Sequence, residues 1–373
     1  MKIFHITTVH DPFDNRIFYK ECQSISSMGH DVTLAAQHER DESVRGIRIR
    51  ALPKARSRPG RMLGTNFKAY QKALDEDADI YHFHDPEFIP LAWLMAVKYK
   101  KKMIYDVHED YYSSIKSKPY LPPVIRNFIA VIFSLFEKVL TRRFAKVLAE
   151  KYYRGRFPEG VTVLNYPGSN LLLNVSVNRA GGEKKFLYTG NITKDRGALA
   201  HANIVNYVDS CFVYLIGRCE PGFTDRLLAL AGKNCDRLVI VGRGRYVPFE
   251  EIIKYYALGG WTAGLALFPP NDHYDNKELT KFFEYMGAGI PVVCSDFPAW
   301  RSLFEETGAG LCVDPLDEKK IKETLEYLFD NRDVAEQIGS KGRSSVQNQF
   351  KWENEALKLD KLYRELVKET EGI

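Results

Sequence analysis

Two stretches of the chain combine residue types and spacing that suit an anion and a sugar hydroxyl. The first is Tyr188-Thr189-Gly190-Asn191-Ile192-Thr193-Lys194-Asp195-Arg196-Gly197, which follows an apolar run and opens a helical pattern. Backbone N–H groups at a helix start attract phosphate, and Lys194 or Arg196 adds full charge there. An ordinary turn with Asp195 as the helix N-cap is the competing reading, since Gly-rich turns between strand and helix are common. The second stretch runs from Asn276 to Val293 and reads as a short helix, a Gly stop and a strand. Thr280, Lys281 and Glu284 share one helix face, while Phe282, Phe283 and Met286 pack inward. A carboxylate so placed accepts both hydroxyls of a ribose. A surface Lys281–Glu284 pair is the plainer alternative.

Three strand ends in the first half carry histidine. Tyr105-Asp106-Val107-His108-Glu109-Asp110 closes one strand and sets His108 on the ligand side of the sheet. A neutral His there hydrogen-bonds a sugar or assists deprotonation of a hydroxyl. A structural His bonded to a carbonyl is the alternative. His82-Phe83-His84-Asp85-Pro86-Glu87 ends the preceding strand, with Asp85 as an acceptor-side base or simply as part of a helix start before Pro86. His10-Asp11-Pro12-Phe13-Asp14-Asn15-Arg16 lies between the first strand and the first helix, where Asp14 suits a helix cap. The His and Asp residues lack the spacing of a known metal site, so no metal is expected.

The elements that position these groups alternate strand and helix. Lys2–Thr7, Asp31–Ala36, Ile47–Leu52, Ile80–His84, Met103–Asp106 and Lys146–Ala149 read as strands, with helices over Asn15–Met28 and near Met62–Asp75. A second alternation has strands at Lys185–Thr189, Cys211–Ile216, Arg237–Val241, Thr262–Phe268, Pro291–Cys294 and Gly310–Val313. That order predicts α/β architecture with two doubly wound, Rossmann-like domains facing across a cleft. The expected limits are 1–168 for the first domain, 169–184 for a linker and 185–350 for the second domain. Residues 351–373 are expected as a C-terminal helix, with packing back onto the first domain as one option.

The 373 residues, 45% hydrophobic and 27% charged, are globular in composition, which excludes disorder, collagen and a coiled-coil rod. The start of the chain lacks the apolar run of a signal peptide, and no stretch is apolar enough to span a bilayer. Six scattered Cys without a C-x-x-C pair fit a reducing, cytoplasmic setting. Net charge is +5, with the basic excess in the first half, which suits an anionic partner or a solvated face. Val124–Lys146 reads as an amphipathic helix with apolar Ile125, Phe128, Ile129, Ile132, Phe133, Leu135, Phe136, Val139 and Leu140. Its polar stripe is Arg126, Ala130, Ser134, Glu137 and Thr141. A membrane-interface helix and a core helix are both open. The basic loop 54–61 suits anionic lipid or a lipid-diphosphate acceptor. Nucleic acid is not expected as a partner, because no nucleic-acid motif accompanies the charge.

Phe283-Glu284-Tyr285-Met286-Gly287-Ala288-Gly289-Ile290-Pro291-Val292-Val293 resembles the donor-site motif of the family-4 retaining glycosyltransferases with the GT-B fold. Thr189-Gly190-Asn191 through Arg196-Gly197 resembles that family's phosphate loop, and the likeness runs over nearly the whole chain. The resemblance implies an N-terminal acceptor domain and a C-terminal nucleotide-sugar domain. Glu284 would hold the ribose, and Arg196 falls where the family usually has a diphosphate-binding Lys. Asn191 replaces a common Arg, with Lys194 and Lys281 as compensating charges. Thr280 and Gly190 complete the phosphate-binding set, and Arg16 or the N–H groups near Asn15 meet the diphosphate from the other domain. Gly242-Arg243-Gly244-Arg245-Tyr246-Val247-Pro248 would cradle the base near Tyr246 and Val247. Asn276 stands where the family often has a second Glu, which leaves Asn276 and Glu278 for the donor sugar. His108 and Asp85 are the catalytic candidates.

The implied activity is sugar transfer from a nucleotide diphosphate sugar, UDP-linked by family weight. The acceptor would be a hydroxyl of a glycan or lipid-linked molecule in cell-surface polysaccharide or glycoconjugate synthesis, at or near the cytoplasmic membrane face. No cofactor or metal is implied beyond the nucleotide-sugar co-substrate. A nucleotide-sugar epimerase of the same fold and a non-enzymatic, transferase-like binding partner are the rival readings.

Overall fold

The computed structural model describes residues 1–55, 57–109, 111–116, 122–168, 182–271 and 274–368. The expected linker falls largely on 169–181, and Arg56 of the basic loop likewise lies outside the described residues. The chain forms two compact units, Met1–Asn165 with Trp352–Ile373, and Tyr166–Lys351.

The N-terminal unit is built on an eight-stranded sheet. Its strands are β1 (Lys2–Ile6), β2 (Asp31–Gln37), β3 (Glu42–Val44), β4 (Ile47–Leu52), β5 (Ile80–Phe83), β6 (Met103–Val107), β7 (Ala145–Leu148) and β8 (Val161–Thr162). Their order is β3-β4-β2-β1-β5-β6-β7-β8, parallel except for the β3–β4 pair. Side chains alternate between faces along each strand. Phe4, Ile6, Tyr81, Phe83 and Tyr105 share one core, and Ile3, Ile80, Ile104 and Val147 share the other. The second core also contains Ile17, Phe18, Trp352, Ala356, Leu359 and Tyr363. Helix Trp352–Lys368 therefore belongs to this unit, its apolar stripe closing the sheet face that begins with Ile3.

The C-terminal unit has a six-stranded parallel sheet of β9 (Lys184–Thr189), β10 (Cys211–Cys219), β11 (Leu238–Arg243), β12 (Ala263–Ala266), β13 (Val292–Ser295) and β14 (Gly310–Val313). The order is β11-β10-β9-β12-β13-β14. Strand order reverses beside β9, and doubly wound sheets bind ligands outside the carboxyl ends at such a point. The corresponding reversal in the first sheet flanks β1.

Three elements depart from their predicted form. The expected single helix over Asn15–Met28 is a π-helix over Asn15–Cys22 followed by an α-helix over Gln23–Ser27. The helix expected over Val124–Lys146 covers Pro123–Leu140, and Lys146 lies in β7. The helix expected to include Asn276 begins at Thr280 and ends at Gly287.

Candidate active site

In the C-terminal unit, the turn after β9 is shaped by glycine. Gly190 has φ +108° and its N–H bonds the Ile216 carbonyl at 2.9 Å. Gly197 has φ +75°, and a Cβ there would meet the Leu267 carbonyl oxygen at 1.8 Å. Any side chain would push the turn off the end of β12.

Two cations converge on this turn. Lys281 is only 8% exposed, and its Nζ has no hydrogen-bond partner among the described residues. Nζ lies 3.9 Å from the centre of the Tyr188 ring and 4.9 Å from that of Phe268. A Cβ on Gly190 would stand 3.5 Å from Lys281 Nζ and 3.8 Å from Arg196 Nη1. Burial above all, with the Arg196 charge adding to it, holds the Lys281 ammonium well below its ordinary range, while Glu284 acts in the opposite sense. The aromatic faces stabilise a cation without neutralising it. Arg196 is oriented by Tyr274, whose hydroxyl accepts from Nε at 3.2 Å and donates to Asp195 at 3.0 Å. Asp195 thus orients Tyr274 and is not an N-cap; the helix over Ala198–Tyr207 starts from Gly197.

Glu284 is partly buried and accepts from the Tyr256 hydroxyl at 2.7 Å. Tyr256 also meets the Thr189 hydroxyl at 2.9 Å, which ties the carboxylate to the end of β9. His201 Nε2 accepts the Leu267 N–H at 2.9 Å, so the imidazole is neutral and fixes the turn after β12. Asn191 and Lys194 are exposed, and Thr280 is the first residue of its helix. Val247 is buried, whereas Tyr246 is 73% exposed. Asn276 is exposed in a turn, and Glu278 accepts from Tyr166 at 3.5 Å in the approach to the helix. Tyr188, Tyr256, Tyr274 and His201 are the supporting residues that sequence reasoning missed. Three are tyrosines, of which only Tyr188 lies in a motif quoted above, and a buried tyrosine is easily taken for core.

In the N-terminal unit, His108 Nε2 lies 2.9 Å from Asp106 Oδ2. The carboxylate fixes the proton on Nε2 and leaves Nδ1 as the basic nitrogen. His108 is therefore oriented by an acid rather than a carbonyl, and its own carbonyl accepts from the Tyr153 hydroxyl at 3.2 Å. Burial alone would raise Asp106, but Arg16, His108 and His82 overcome it and hold the carboxyl well below the usual range.

Asp85 and Arg16 are both held inside the unit, and for Arg16 this corrects the expectation. Asp85 is 1% exposed, and its Oδ2 accepts from the Thr7 hydroxyl at 3.0 Å and the Thr8 and Val9 N–H groups at 2.6 and 3.3 Å. Oδ2 thus ties down the turn after β1, while Oδ1 makes no hydrogen bond among the described residues and lies 3.6 Å from His10 Nε2. Arg16 is 6% exposed, donates to the Val163 carbonyl at 3.0 Å and pairs with Asp106 and Glu21 at 3.4 and 2.9 Å. Its guanidinium is committed inside the unit and does not meet a diphosphate. Asp14 caps the π-helix by accepting from the N–H groups of Arg16 and Ile17.

Residues 15–150 match the model of Glycosyltransferase Family 4, and residues 223–361 match a glycosyl transferase-like model. No curated protein matches the chain in sequence. Among solved structures, sucrose-phosphate synthase from Thermosynechococcus elongatus is 18% identical with a TM-score of 0.75, over 98% of this chain and 99% of that one. A glycosyltransferase from Rickettsia africae is 13% identical with a TM-score of 0.75, over 98% of each chain. HepE from Anabaena, in complex with UDP and glucose, is 12% identical with a TM-score of 0.70, over 97% of this chain and 99% of that one. At such identities the structural likeness is one of fold, and it is the GT-B fold of two Rossmann-like domains. Both halves thus match glycosyltransferase models, the first of them that of Family 4, and the whole chain takes the GT-B fold.

Proposed function

We propose that the protein transfers a sugar, with retention of anomeric configuration, from a UDP-sugar to a hydroxyl of a glycan or lipid-linked acceptor. The observation that carries this reading is the convergence of Lys281 and Arg196 on the Gly190 turn, with the Lys281 ammonium buried and unpaired. A buried cation without a counter-charge is costly, and a diphosphate supplies that charge. Departure of the nucleoside diphosphate builds negative charge at the same place, so the two cations act on the transition state and no metal is needed there. The Asn191 N–H, the Thr280 hydroxyl and Lys194 complete the phosphate contacts, and Gly190, without a side chain, lets the diphosphate approach the turn. Glu284, held by Tyr256, takes the ribose hydroxyls. The backbone at Tyr246 and Val247 contacts the base, and Asn276 and Glu278 reach the sugar. UDP is favoured because HepE of the same fold holds UDP and glucose. His108, oriented by Asp106, offers Nδ1 to the acceptor hydroxyl or the donor sugar. Helix Pro123–Leu140 docks the enzyme on the cytoplasmic face of a membrane during glycoconjugate synthesis.

The test is calorimetric titration of the wild-type chain, Lys281→Met and Glu284→Ala with UDP and UDP-sugars. Lys281→Met removes a charge-assisted contact of ~1.5–3 kcal/mol, about 10–150-fold in affinity. The same variant melts higher without ligand, because an unpaired buried amine is gone. Equal UDP affinity in all three proteins would refute the assigned donor site. Conversion of a UDP-sugar to its epimer without acceptor would replace transfer by epimerisation.

A further inference from the structure

Fully buried polar groups meet at a second place, inside the N-terminal unit and apart from the donor contacts. His5 on β1 pairs in register with His82 on β5, and His84 follows two residues later on the same face. Glu21 comes from the π-helix that covers this face. His5, Glu21 and His82 are 0% exposed and His84 is 2% exposed. Neither carboxylate oxygen of Glu21 makes a hydrogen bond among the described residues. Oε1 lies 2.9 Å from Arg16 Nε without hydrogen-bond alignment. Oε2 lies 4.0 Å from His5 Nδ1 and 4.0 Å from His84 Nε2, and these two nitrogens are 3.0 Å apart.

Those three separations define a gap of a particular size. The point equidistant from the three atoms lies about 2.2 Å from each, against ~2.0–2.1 Å for Zn–N and ~2.0–2.2 Å for Zn–O bonds. A water in the same plane would need ~2.7–3.0 Å to each. The outer nitrogens are also placed as metal-bound imidazoles require. His84 Nδ1 is 3.0 Å from His108 Nε2 and 3.4 Å from Asp106 Oδ2, the carboxylate oxygen that both rings face, and His5 Nε2 is 3.3 Å from the Tyr363 hydroxyl. Each ring can donate its far N–H while its near nitrogen keeps a lone pair. His82 is engaged by Tyr363 at 2.6 Å and Asp106 at 3.6 Å, in the surrounding layer.

We propose that His5 Nδ1, His84 Nε2 and Glu21 Oε2 bind a divalent transition metal, with Zn²⁺ as the ion of choice for two imidazoles and a carboxylate. The ion pins β1, the residue after β5 and the π-helix together, seated in the plane of its three ligand atoms. It adds positive charge beside a carboxylate whose one permanently charged ion-pair partner among the described residues, Arg16, is shared with Asp106. The alternative is a protonated Glu21 beside a direct His5–His84 hydrogen bond, with no metal.

Untagged full-length chain is stripped of metal by dialysis against chelator and titrated with Zn²⁺ or Co²⁺. Bound metal is read by elemental analysis, Co²⁺ coordination by visible absorption, and stability by melting. About one equivalent per chain, a raised melting temperature and a Co²⁺ band are expected. In Glu21→Gln and His84→Asn, affinity falls by more than the ~10–100-fold that loss of an outer partner costs. His201→Gln, a buried histidine of the other unit, keeps the full stoichiometry. If the ligand variants fail to fold, the wild-type Co²⁺ spectrum decides. Wild-type chain without stoichiometric metal, or equal binding by the double variant His5→Gln/His84→Gln, overturns the proposal.

Discussion

Lys281 and Arg196 bring like charge to one glycine, and the turn between them is steadied by neutral side chains. His201 is the clearest of these, because its Nε2 accepts a backbone N–H and must stay unprotonated. Burial first, and the Lys281 charge second, push it well below the ordinary imidazole value. A folded value below the unfolded ~6.5 means that the stability contribution is complete above pH ~6.5 and is lost as pH falls below it. In ligand-free protein, His201→Gln is expected to reduce the acid-side slope of melting temperature against pH, measured from about pH 7 to 5. At this scale the sequence was informative about residue type and silent about partners. Gly190 to Arg196 and Lys281 to Glu284 are two local motifs, and the family resemblance, not spacing, joined them across 91 residues into one expected anion and ribose site. Arg16 and Asp85 looked equally available, but their partners at Asp106 and Thr7–Val9 lie 90 and 76 to 78 residues away in sequence.

Elements show a similar division. The strands are legible because buried parallel strands read as short apolar runs. The repeated spacing Ile3-x-His5, Ile80-x-His82-x-His84 and Ile104-x-Asp106-x-His108 even shows one sheet face turning polar toward its carboxyl edge. The π-helix at Asn15–Cys22 was not legible, since its apolar residues suit an α-helix. Its wider turn aligns residues five apart, which sets Arg16 beside Glu21. Helix Pro123–Leu140 has the predicted amphipathic pattern in the opposite sense to a core helix. Ala130, Glu137 and Thr141 of the polar stripe are buried, and Glu137 accepts from Tyr105 at 2.7 Å. Val124, Phe128, Leu135 and Val139 are 81%, 66%, 63% and 60% exposed. So large an apolar face implies a partner surface, although no described helix is long and apolar enough to cross a membrane. Phe128→Glu with Leu135→Glu is expected to abolish sedimentation with anionic-lipid vesicles and to leave the melting temperature nearly unchanged. Loss of folding instead would return the helix to the core.

At the scale of the molecule, two doubly wound units were legible from the alternation of strand and helix. What composition does not reveal is that the N-terminal unit is made of two separated stretches. Trp352, Leu359 and Tyr363 fill its core from the far end of the chain, and the Trp352 indole donates to Ser24 at 2.7 Å. Stopping the chain at Lys351 is expected to strip hydrogen-exchange protection from β1, β5 and β6 while sparing β9 to β14. Equal protection in both units would refute that dependence. The arrangement also sets an order of events at the ribosome. Domains emerging from synthesis ordinarily fold from the N-terminus onward. Here the first unit to leave the tunnel waits for residues 352–363, while the unit spanning Tyr166–Lys351 already has all its strands. The early-made half of the enzyme is thus the late-finished half, exposed to chaperones and proteases for as long as the rest is being translated.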